Sequence, residues 1–63
     1  MSRVLKVFCS PSEQDSLAGS YPVIERYAGF VLIDVADNEV DSIARRFPVE
    51  DITALVDYLL SWP

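Results

Sequence analysis

The side chains able to do chemistry in this chain are few. There is one thiol at Cys9, a series of carboxylates at Asp34, Asp37, Glu39 and Asp41, a cationic pair at Arg45 and Arg46, and no histidine. Without histidine the commonest general base, the Ser-His-Asp arrangement and the usual zinc ligand are missing. A lone cysteine forms no internal disulfide and no thiolate metal cluster, and beside an apolar run Cys9 reads as a small buried hydrophobe. Asp37, Glu39 and Asp41 lack the glycine and the later bidentate glutamate of a calcium loop, and they coincide with a helix start, where the dipole favours negative charge. Arg45-Arg46 suits the opposite, negative end of that helix. Asp34 stands inside the apolar run "VLIDVA", so its carboxylate must face solvent or find a partner, and an outward face with a binding role is the minority reading beside a merely solvated one. The expectation is a chain that is not an enzyme and takes no metal and no cofactor.

Composition narrows the partners. Ten acidic against five basic residues leave a net charge of −5, which opposes phosphate backbones and anionic lipid head groups. Neither nucleic acid nor membrane is expected. No apolar run approaches the roughly 20 residues that span a bilayer, and no basic-then-apolar leader follows Met1, so the chain reads as soluble, with its compartment open. Its 63 residues make one small α+β domain over 1–63, near the size at which a single core barely offsets chain entropy.

The elements that must position these side chains follow from the apolar spacing. Arg3 to Cys9 reads as a strand, with Leu5 and Val7 on one face and Val4, Lys6 and Phe8 on the other. Ser10-Pro11-Ser12-Glu13 offers a hydroxyl cap, a proline at the first helical position and a glutamate three residues after the cap, a capping box that opens a short helix to about Ala18, with Gly19 ending it and Leu17 and Ala18 as its apolar contacts. A second strand spans Val23 to Tyr27, the permissive Gly29 turns a hairpin, and Phe30 to Val35 is the central strand. Asp37 then fits the cap of a helix in which Val40, Ile43, Ala44 and Phe47 form the apolar stripe. Leu5, Val7, Val31, Ile33, Val40, Ile43 and Phe47 are the expected core.

Two readings of the tail stand side by side. Val49 to Ile52 forms a final strand and completes β-α-β-β-α-β, the ferredoxin-like arrangement. Ile52, Leu55, Val56, Leu59 and Leu60 also form a helical stripe, with Asp51 or Thr53 as its cap. The combined expectation is a short strand followed by a helical turn or two, ending at Trp62-Pro63, with the apolar tail either a core element or a surface that seeks a partner.

The stretch "GFVLIDVADNEVDSIARRFPVEDI", Gly29 to Ile52, resembles the second half of the propeptide domain of subtilisin-like serine proteases: an apolar strand, an acidic loop, a helix, and a strand beginning near Val49-Glu50. Val4 to Phe8 matches that family's first strand more loosely, the first helix is shorter than usual, and the tail looks helical where the family's tail runs extended into the protease cleft. The resemblance implies a ferredoxin-like module that inhibits and chaperones a subtilisin-like protease or its own catalytic domain. It implies a docking face drawing on Tyr27, Phe30 and Leu32, loop acids Asp37 and Glu39 meeting helix N-termini of the enzyme, and a tail with Leu59, Leu60 and Trp62 in contact with the partner. The alternative is a homodimer whose copies share a core through that tail.

Overall fold

The computed structural model describes residues 2–61, without the side chains of residues 60 and 61. Four strands, β1 (Ser2–Phe8), β2 (Val23–Arg26), β3 (Phe30–Ala36) and β4 (Val49–Asp51), alternate with α1 (Pro11–Ala18) and α2 (Val40–Ala44), and α3 (Thr53–Ser61) follows. The sheet order is β2-β3-β1-β4 with every neighbouring pair antiparallel. This is the ferredoxin-like split βαβ order, in which each crossover helix spans an intervening strand.

The alternation in β1 and β3 explains the layers. Their register pairs Leu5 with Ile33 and Val7 with Val31, so these four side chains share one face, and all are fully buried. Leu17 of α1, Ile43 of α2, Val35 and Cys9 complete that core, and Val23, Val40, Phe47 and Val49 pack at its margin. Val40 and Phe47 are only partly buried, because α2 is a five-residue helix preceded by a 3-10 turn over Asp37–Glu39, and of its side chains it buries only Ile43 fully. Ala18 is exposed; the second buried residue of α1 is Gln14.

Local chemistry sets the ends. Ser10 accepts from the Glu13 backbone N–H at 3.4 Å and Glu13 Oε1 accepts from the Ser10 N–H at 2.9 Å, with Pro11 opening α1, as the capping box requires. The expected cap of the second helix is corrected. The cap positions fall on Ala36 and Glu39 with no side-chain cap hydrogen bond at either, and Asp37, one residue inside the turn, meets Arg3 Nε at 3.4 Å. The helix also ends at Ala44, before Arg45-Arg46. The hairpin turn does not use a left-handed glycine either, since no glycine has a positive φ among the described residues.

The tail takes both of its readings in succession. β4 pairs with β1 from Val49 to Asp51, and Asp51 Oδ1 then accepts from the Thr53 N–H at 2.9 Å and from its hydroxyl at 2.6 Å. The Thr53 hydroxyl accepts from the Val4 N–H at 2.9 Å and the Ile52 N–H reaches Val4 O at 3.0 Å, which anchors the start of α3 beside β1. Among the described residues no helix is long and apolar enough to cross a membrane.

Candidate functional site: the open face of the sheet

With α1 and α2 on the buried face, the alternate residues of the central strands point the other way. Lys6 and Phe8 on β1 stand opposite Leu32 and Phe30 on β3, and Val4 stands opposite Asp34. A bulge between Val23 and Glu25 resets β2, so that Glu25 pairs with Leu32 on this open face while Arg26, paired with Val31, turns to the helix side. Glu50 of β4 pairs with Lys6.

The aromatic rings collect at one corner of this face. The Tyr27 ring stacks on Phe30 with centroids 4.5 Å apart and planes at 24°, and Phe30 lies 6.1 Å from Phe8. Lys6 Nζ sits 4.5 Å from the Phe30 ring centre and 5.2 Å from that of Phe8, a cation–π arrangement worth about 0.5–1 kcal/mol at an exposed site. Phe8 is 40 % and Tyr27 47 % exposed, so the patch is wet although its rings hold each other. One lysine thus stands amid aromatic rings while Glu25, Asp34 and Glu50 share its face.

Of the residues expected to bind, the structure brings Tyr27, Phe30 and Leu32 together, joined by Phe8. It does not bring Asp37 and Glu39 to them: both follow the far end of β3, whose seven residues run about 20 Å. Glu39 instead joins Asp34, Tyr21, Pro22, Ser20 and Ser2 around a shallow groove of about 450 Å³. Leu59 is 62 % exposed on α3; the Leu60 side chain and Trp62 lie outside the described residues.

Gln14 is the residue the apolar pattern could not reveal. It is 2 % exposed, and its Nε2 donates to the carbonyls of Tyr27 at 2.7 Å, Phe30 at 3.2 Å and Cys9 at 3.3 Å, while its Oε1 accepts from Arg26 Nε at 3.2 Å. A glutamine three residues before Leu17 in a capped helix offers only a spacing hint, because its partners are backbone groups distant in sequence.

Electrostatics do not activate the one thiol. Burial pushes the Cys9 thiol above its ordinary pKa, and the nearby Glu13 carboxylate adds to the shift, the opposite of what activates a cysteine. No group of three or more His, Cys, Asp or Glu placed to hold a metal occurs among the described residues. Comparison with family models, with curated proteins and with solved structures gives no match.

Proposed function

We propose that this chain is a protein-binding module, not an enzyme, that lays its open sheet face on a subtilisin-like serine protease, acting as inhibitor and folding chaperone of such an enzyme or of its own catalytic domain. The observation that carries this reading is the registered patch of Phe8, Tyr27, Phe30 and Leu32 on the sheet face away from α1 and α2. Exposed aromatic residues grouped on a rigid sheet are the usual anchors of protein interfaces. Aromatic rings on such a sheet also suit stacked bases, but a phosphate backbone would there meet Glu25, Asp34 and Glu50, with Lys6 the only cation among the described residues paired into the same rows, and the net charge of −5 adds repulsion. Protein is the better partner.

The test is inhibition of subtilisin by the purified chain, read with a chromogenic peptide. Inhibition is expected, with Phe30→Ala and Leu32→Ser weakening it while the fold persists. Absence of inhibition up to tens of micromolar, on the order of the weakest useful interface affinities, overturns the reading.

A second reading, self-association, is favoured by α3, where Leu55 and Leu59, one turn apart, are exposed. Apolar side chains aligned on one helix face invite a partner surface. Sedimentation velocity across a range of concentrations separates the two, since a dimer shifts with dilution and a monomeric inhibitor does not.

A further inference from the structure

The aromatic corner is held from the helix side of the sheet. The carbonyls that Gln14 Nε2 engages belong to the segment after β1, the residue before the hairpin turn and the first residue of β3. Two of them are those of Tyr27 and Phe30, the stacked pair, and the third is that of Cys9, directly after Phe8. The two N–H groups of one amide thus serve three carbonyls whose residues carry or adjoin all three rings. The amide has a defined orientation, because Arg26 Nε donates to its oxygen, and Arg26 is itself held by Asp15 Oδ1 at 2.8 Å and Pro11 O at 3.3 Å. Glycine does not hold this turn: neither Ala28-Gly29 nor any other described segment has a positive-φ residue, and a Cβ at Gly29 would meet nothing within 4 Å.

We infer that Gln14 is a positioning residue for the docking face: it sets the backbone of Tyr27 and Phe30, and so the placement of their rings, without lying on the face a partner would touch. This rests on the proposed docking role for its consequence in binding, but the placement of the rings can be read without any partner. Buried polar groups fully satisfied in this way fix one geometry among those that apolar packing would tolerate equally.

The experiment compares Gln14→Leu, which keeps the bulk and removes the donors, with Ile43→Val, a core change on the other crossover helix, α2, that alters no hydrogen-bonding side chain. In proton NMR the Tyr27 ring signals and the amides of residues 27–30 are expected to shift in Gln14→Leu and to stay in place in Ile43→Val. The second readout is inhibition of subtilisin at a temperature where circular dichroism shows every variant folded. There Gln14→Leu is expected to weaken inhibition roughly tenfold, a shift of one decade in the constant, and Ile43→Val to leave it unchanged. Arg26→Met, a surface change that removes the donor orienting the amide, is expected to show the same pattern at smaller amplitude and carries the test where Gln14→Leu does not fold. Unchanged Tyr27 and Phe30 signals in the folded variant overturn the inference outright. Displaced rings with undiminished inhibition overturn its binding consequence. A wild-type chain that does not inhibit removes the docking role, and the ring signals still decide whether Gln14 sets the corner.

Discussion

Ile43→Ala tests the packing argument at its narrowest point. α2 is only five residues long, too short to be stable by itself, and Ile43 is its one fully buried side chain, 1 % exposed. The substitution removes three carbon groups from the core, about 2.4 kcal/mol at 0.8 kcal/mol each, and any cavity left unfilled adds to this, giving about 2–5 kcal/mol. A domain of 63 residues has only about 3–9 kcal/mol in total at 0.05–0.15 kcal/mol per residue, so the substitution removes a large share of the stability, and all of it where the wild type lies at the low end of that range. Urea titration followed by circular dichroism measures this, with Ile43→Val as the graded companion, expected to cost about 0.5–1.5 kcal/mol. A midpoint for Ile43→Ala within experimental error of wild type would show that α2 is not held through Ile43, and would refute the two-layer account of the core.

Four further outcomes follow from particular contacts. Ser10→Ala removes the hydroxyl half of the capping box and should lower stability by about 0.5–2 kcal/mol; a change below the error of urea titration would mean the cap is incidental. Asp51 is held below its ordinary pKa by the Thr53 hydroxyl, then the Thr53 N–H and Arg3, and Glu13 is lowered by the Ser10 N–H and hydroxyl. A carboxylate with a depressed folded pKa contributes stability that is complete above its unfolded value and lost as pH falls through the folded one. The melting temperature should therefore drop between about pH 5 and 2, less steeply in Asp51→Asn; a flat or rising profile contradicts the assignment. Gly29→Ala finds open space and no left-handed backbone, so it should be neutral or stabilise by up to about 1 kcal/mol, and a clear loss would show that the turn needs glycine after all. Deleting residues 59–63 should abolish protease inhibition with no change in sedimentation if the tail meets a protease, or dissociate the protein and remove the concentration dependence of its melting temperature if the tail joins two copies; a chain unchanged in both assays fits neither role.

Much of the fold was legible because it depends on short-range pattern. Alternation placed Leu5, Val7, Val31 and Ile33 on one face and Ser10 to Glu13 spelled a capping box, as the structure has them. The tail was ambiguous because strand and helix signals overlap at Ile52, and the chain resolves them in sequence, with Asp51 closing the strand and capping the helix. Asp37 misled for a related reason. An acid before a helical stripe has cap spacing, but a guanidinium supplied by β1 lies beside it, and that neighbour exists only once β1 and β3 have paired.

The sequence by itself determined which residues are apolar and at what period, and hence the strands, the first helix, the identity of the buried face and the absence of histidine. Only the tertiary structure decided where β2 shifts its register, why α2 is cut to five residues behind a 3-10 turn, and how Gln14 comes to hold the turn of a hairpin from a helix. The physical reason is one of range. Periodicity reports which side of an element avoids water, whereas a buried amide and its three carbonyls, 5, 13 and 16 residues away, become partners only when packing has excluded the solvent that would otherwise satisfy each of them.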